Sequence, residues 1–113
     1  MKGDDYQFET GKTALYPEAG TGSKIALCYT ALGLASEAGE VAGKIKKMLR
    51  DDGGSMTPAR AEQIFAELGD TAWYLARVCS ELGFGFSNVL LKNVEKLASR
   101  YDRGVIRGSG DTR

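Results

Sequence analysis

Two long amphipathic runs, each with its own start signal and parted by one glycine-rich turn, restrict this chain more than any other feature. Apolar residues recur at helical spacing from about Lys24 to Arg50 and again from about Pro58 to Leu82. Ser23 stands where an N-cap hydroxyl would accept a free amide of the first run. Thr57 does the same for the second, with Pro58 at the first helical position, where a missing N–H costs nothing. Between them "DDGGSMTP" ends the first helix and turns the chain back. No long alternating β-branched run occurs, so strands are not expected. A weaker helix is expected from roughly Asp4 to Leu15, interrupted by Gly11, and "YPEAGTGSK" reads as a turn. After "GFGFS" a fourth helix is expected to begin past Ser87 and run to about Arg103. The expected fold class is all-α, a helical hairpin within a four-helix bundle.

At 113 residues the expectation is one domain, 1–113, with an N-terminal arm over 1–23 and a flexible basic tail over 104–113. Fifteen basic residues balance fifteen acidic ones, so no global field points to nucleic acid or to an anionic membrane. The chain has no histidine, which excludes Ser-His and Cys-His nucleophiles and His-ligated zinc. Cys28 and Cys79 show no pairing pattern, and the start "MKGDDYQFET" lacks an apolar signal region. The run "IALCYTALGLA" is too short and too polar to span a bilayer. A reduced, cytoplasmic chain is expected.

The chemistry lies in carboxylates beside the apolar stripes. "EAGE" places Glu37 and Glu40 three apart in the first long run, and "ELGD" places Glu67 and Asp70 three apart in the second. With about 100° per residue, Glu37 sits on the edge of its stripe and Glu40 about 60° further toward solvent. In the second helix Glu67 and Asp70 also flank the stripe, with Tyr74 between them in angle. Antiparallel packing, stripe against stripe, keeps equivalent flanks on one side, and Glu40 and Glu67 both lie about 14 Å from the turn. Four carboxylates are therefore expected to converge. Like charges at about 5 Å repel by roughly 3 kcal/mol per pair at an effective dielectric of about 20. A proton or a hard cation must offset this, and carboxylates without His or Cys suit Mg²⁺ or Mn²⁺. A single such pair is usually a solvated flank. Its repetition at matched flank and height carries the reading.

These residues resemble a known signature. "EAGE" followed by "ELGD" is similar to the Glu-x-x-Glu … Glu-x-x-Asp pattern of the all-α nucleoside triphosphate pyrophosphohydrolases, specifically the MazG-like proteins. The likeness runs from about "YPEAGTGSK" through "NVEKLASRYDRG". It implies that Glu37, Glu40, Glu67 and Asp70 bind Mg²⁺ bridging a triphosphate, and that water attacks the α-phosphorus to release pyrophosphate and a nucleoside monophosphate. It also implies a homodimer or a dimer-of-dimers tetramer, so that two chains complete the bundle. The sequence leaves open which acid acts as general base; Glu37 is a candidate, since the stripe edge is drier and favours a raised pKa.

A triphosphate further needs cations and donors. Lys44 shares the acid flank, and Lys92, Lys96 and Arg100 recur at i, i+4 and i+8 on the fourth helix. The resemblance favours Asn93 and Lys96 among these substrate-binding candidates. Tyr74 is a candidate contact to sugar or phosphate. Trp73 falls at about 240°, away from the stripe, and is expected to be exposed in one chain and covered by another subunit. Tyr6, Phe8 and Tyr16 are candidates to stack on a base. "TGKT" at 10–13 is no P-loop, because the glycine such a loop requires falls at Tyr6. Two other readings stay open: a phosphoribosyl-ATP pyrophosphohydrolase on the same fold, or a helical module that binds metal-nucleotide without cleaving it.

Overall fold

A computed structural model describes residues 1–113 as four α-helices without strands: α1 (Gly3–Gly11), α2 (Lys24–Asp51), α3 (Pro58–Leu82) and α4 (Phe86–Asp102). The hairpin starts where its caps dictate. Ser23 Oγ accepts from the Ala26 amide at 3.1 Å, and Thr57 Oγ1 accepts from the Arg60 amide at 3.1 Å. Each takes one of the amides that a helix start leaves free. The turn between them is tied by Arg60, whose Nε donates to Asp52 Oδ2 at 2.9 Å. Helix α3 ends at Gly83, whose φ of 75° lies in the left-handed region; the Phe84 amide then closes back on the Cys79 carbonyl at 2.8 Å.

The start of α4 differs from expectation by one or two residues. It begins at Phe86, directly after Gly85, which offers no side-chain cap. The free amides are served from α1 instead. Gln7 Oε1 accepts from the Phe86 amide and Asp4 Oδ1 from the Ser87 amide, both at 2.9 Å. The Asp4 amide in turn donates to Ser87 Oγ at 2.8 Å. The N-terminal helix thus acts as a clamp on the α3–α4 corner, with Tyr6 packed on Phe86.

Gly33 explains how closely the hairpin closes. A Cβ built on it would overlap the Tyr74 ring, so the ring lies directly against the α2 backbone. Gly33→Ala gains about 1 kcal/mol of helix propensity. Overpacking costs about 1–3 kcal/mol, so net destabilisation and a displaced Tyr74 are expected. Thermal melting checks the first outcome; an unchanged or higher melting temperature would contradict this packing.

The core is small. Ten residues are buried, and five of them, Thr10, Thr30, Arg77, Glu81 and Arg100, are polar or charged. Helix α4 packs on α1 and the end of α3 and makes no contact with α2. Its Leu90, Val94, Leu97 and Tyr101, at i, i+4, i+7 and i+11, form an apolar stripe open to solvent. The radius of gyration, 16.9 Å, exceeds the roughly 13 Å of a compact chain of this length. No helix is long and apolar enough to cross a membrane.

Candidate active site

Counting from the turn fixes which acids meet. Glu37 lies fourteen residues before the end of α2 at Asp51, and Asp70 twelve after the start of α3 at Pro58. Both therefore stand about 20 Å from the turn. Carboxylate oxygens of Glu37, Glu67 and Asp70 lie within 4.8 Å of one another. Glu40 stays exposed outside this trio, yet it is near enough for its charge to act on Glu37. The additional 60° toward solvent separates it from the others.

The cluster holds unresolved negative charge. Burial first, then the Asp70 charge, a hydrogen bond with Glu67 and the charges of Glu67 and Glu40 all push the Glu37 carboxyl above the usual range. Lys44 offsets part of this. Its Nζ stands 3.9 Å from Glu67 Oε1, with both side chains mostly covered. Lys44 thus pairs across the hairpin rather than with Glu40 on its own helix. Oxygens on opposite sides of a Mg²⁺ lie about 4.2 Å apart, twice a bond of about 2.1 Å. The three carboxylates are close to that span without imidazole or thiol among them, so the donor set fits a hard divalent cation.

The acids open into a cavity of about 360 Å³ lined by Thr13, Glu37, Asp70, Trp73 and Tyr74. Burial, the neighbouring Tyr29 and the Glu37 charge hold the Tyr74 hydroxyl above its ordinary pKa, so it stays protonated as a donor. Trp73 is not bare, as its angle suggested. Its Nε1 donates to Thr13 Oγ1 at 2.9 Å, and its ring meets Tyr16 edge-on at 6.1 Å and Tyr74 at 5.0 Å. The cover within one chain is the segment between α1 and α2, because periodicity gives a direction but not the segment that docks there. Tyr6 packs on Phe86, Phe8 is exposed, and Tyr16 is buried in stacked contact with Tyr29.

The α4 candidates lie elsewhere. Lys92, Asn93 and Lys96 line a larger cavity of about 570 Å³ beside Gly83, Phe84 and Gly85, with no acid of the cluster in its wall. Lys92 Nζ donates to Glu95 at 2.9 Å, and Lys96 Nζ stands 3.8 Å from Asp111. Arg100 is buried beneath residues 104–113; its Nη2 donates to the Asp111 carbonyl at 3.0 Å while its Nε has no partner. Within one chain the acids and the α4 cations are therefore separate.

Sequence reasoning missed Glu81. It lies in the last turn of α3, where a carboxylate opposes the helix dipole, and that misplacement was the available signal. Its Oε2 accepts from Tyr16 Oη at 2.7 Å and the Gly20 amide at 2.9 Å, and its Oε1 from the Gly22 amide at 3.1 Å. Arg77 Nε donates to Tyr16 Oη at 3.1 Å. Burial alone would raise the Glu81 carboxyl, but these bonds and the Arg77 charge outweigh it and leave it below the usual range. Hydrogen bonds to a charged group contribute about 1.5–3 kcal/mol each, so Glu81 anchors the α1–α2 segment.

The family described as the MazG nucleotide pyrophosphohydrolase domain matches residues 28–105. The "Gene 37 protein" of Mycobacterium phage L5 is 47% identical over 114 residues, covering the whole of both chains. No solved structure matches. The matched span takes in both acid-bearing helices and α4, and the chain belongs to the MazG nucleotide pyrophosphohydrolase family.

Proposed function

We propose that the chain hydrolyses nucleoside triphosphates, ribo or deoxy, to nucleoside monophosphate and pyrophosphate with Mg²⁺ or Mn²⁺, in control of the nucleotide pool of the cytoplasm. The meeting of Glu37, Glu67 and Asp70 carries this reading, because three carboxylates at such range favour a bound divalent cation. When bound, that cation neutralises phosphate charge and acidifies water. Glu37, Glu67 and Asp70 would hold it, with Glu40, on the next turn of α2, as the fourth ligand. The Glu37 carboxylate, at the drier edge of the apolar stripe, takes the proton of the attacking water. The oxygen of that water bonds to the α-phosphorus, and the bond from the α-phosphorus to the bridging oxygen breaks, with pyrophosphate leaving. Lys44 steadies Glu67 and adds positive charge toward the phosphates. Tyr74 donates to sugar or phosphate.

Two copies are part of this reading. An apolar stripe along α4 open to solvent and the separation of Lys92, Asn93 and Lys96 from the acids support a homodimer, alone or paired into a tetramer, in which these three reach a neighbour's triphosphate; Arg100 could join them only if residues 104–113 moved off it. Incubation with common NTPs and dNTPs, Mg²⁺ and ¹⁸O-water tests the reaction. Labelled monophosphate and unlabelled pyrophosphate are expected. Orthophosphate and nucleoside diphosphate in place of pyrophosphate and monophosphate, or tight binding without turnover, would overturn it.

A further inference from the structure

The acid cavity has one wall that belongs to neither helix of the hairpin. Thr13 lines it and accepts the Trp73 indole N–H, while Tyr16 meets the same indole edge-on. Both residues sit in the segment between α1 and α2, which has no regular structure of its own from Lys12 to Ser23. What fixes that segment lies at the other end of α3. Glu81 is eleven residues past Asp70, about 16 Å along the helix. It touches nothing in the cavity.

Its bonds nevertheless converge on the wall. One carboxylate collects the Tyr16 hydroxyl and the Gly20 and Gly22 amides, and Glu81, Tyr16 and Arg77 are all buried. Gly20 and Gly22 have φ of 81° and 69°, left-handed values that let two amides two residues apart aim at one anion. A Cβ on Gly22 would also stand 3.1 Å from the Glu81 carbonyl, so the segment lies against α3 itself. Arg77 closes the network on Tyr16, and its Nη1 reaches Thr10 Oγ1 at 3.5 Å at the end of α1. Both ends of the segment are thereby held to α3.

We propose that Glu81 is a positioning residue that sets the α1–α2 segment as the nucleoside-facing wall of the acid cavity, acting through Tyr16 and Thr13 on Trp73. The inference rests on the reading that the acids take the phosphates of a nucleoside triphosphate. With the phosphates at Glu37, Glu67 and Asp70, the aromatic face of Trp73 and the Thr13 hydroxyl meet the nucleoside end. Releasing the segment weakens binding of that end and leaves the acids, and hence the chemical step, in place. The effect belongs in KM.

Trp73 is the sole tryptophan, so its emission reports the wall without any turnover. The test compares full-length wild type with Glu81→Gln, which keeps shape but replaces one acceptor by a donor facing donors. Expected are unchanged helicity and Mn²⁺ affinity, acrylamide quenching of Trp73 raised about twofold, and KM raised about tenfold with kcat within about threefold. Unchanged Trp73 quenching, or a fall in kcat at constant KM, would overturn the proposal, as would a lower melting temperature with neither quenching nor KM moved. Should Glu81→Gln fail to fold, Tyr16→Phe keeps the ring on Trp73 and removes only the hydroxyl; it must move quenching in the same direction. If the wild type hydrolyses no triphosphate, the catalytic reading fails, while quenching by acrylamide still decides whether Glu81 holds the wall.

Discussion

Glu67→Gln and Asp70→Asn are each expected to lower kcat/KM by at least about 10³-fold, the scale of removing a group that stabilises developing charge. Helicity by circular dichroism should stay that of the wild type. Loss of fold is not the cause, because neither side chain belongs to the buried core; Asp70 is exposed, and Glu67, only half-buried, faces Lys44 and Glu37 across the hairpin. Glu37→Gln should fail equally by removing the proton acceptor. Glu40→Gln, outside the trio in this structure, is also expected to abolish turnover if its carboxylate joins a bound cation. A steady-state assay with Mg²⁺ decides. Activity within about tenfold of wild type in any of the first three would remove that residue from the chemistry.

Metal-free Glu37→Gln is expected to melt higher than metal-free wild type at pH 7, and the order should reverse in Mg²⁺. The sign follows from the raised Glu37 pKa. Folding favours its protonated form, so its contribution is fully present below the usual glutamate value and is lost as pH rises through the raised folded value. At neutral pH without metal it is a net cost. A like-charged pair at about 5 Å is worth roughly 3 kcal/mol at a dielectric of about 20, reduced to about 1 kcal/mol by solvent at this partly open site. That corresponds to a rise of about 4 °C. A cation at a hundred times its dissociation constant adds about 2.7 kcal/mol to wild type, or about 10 °C. Glu81 works in the opposite sense. Its lowered pKa means stability that is present above the usual glutamate range and lost as pH falls through the depressed value. The metal-free protein should therefore gain stability on mild acidification and lose it again in stronger acid. Scanning calorimetry from neutral pH downward, with and without Mg²⁺, reads both effects. A Glu37→Gln variant that melts below wild type without metal would contradict the charge account.

The hairpin was legible because its signals are local. Ser23, Thr57 and Pro58 mark helix starts by their own chemistry, and both caps form the expected bonds. Helical angle puts all four acids on one flank, and Glu37, Glu67 and Asp70 do come together; the matched distance of Glu40 and Glu67 from the turn does not bring Glu40 in, because it points further toward solvent. Local signals fail where a distant segment supplies the partner. The fourth helix starts before Ser87 because Asp4 and Gln7, more than seventy residues away, accept its free amides. Trp73 has a cover in its own chain because Thr13 and Tyr16 reach it, and no periodicity in α3 encodes that. Glu81 went unread because its three donors come from a loop some sixty residues earlier. The i, i+4, i+8 face of Lys92, Lys96 and Arg100 is real in α4, but Arg100 is covered by the chain's last residues.

Facing helices of one hairpin bring Glu37, Glu67 and Asp70 together as the proposed cradle for a divalent ion. Mn²⁺ titration followed by electron paramagnetic resonance tests it without substrate or turnover. Saturable binding by wild type, weakened by Glu37→Gln, Glu67→Gln and Asp70→Asn alike, is expected. Binding by all three variants with wild-type affinity would contradict it.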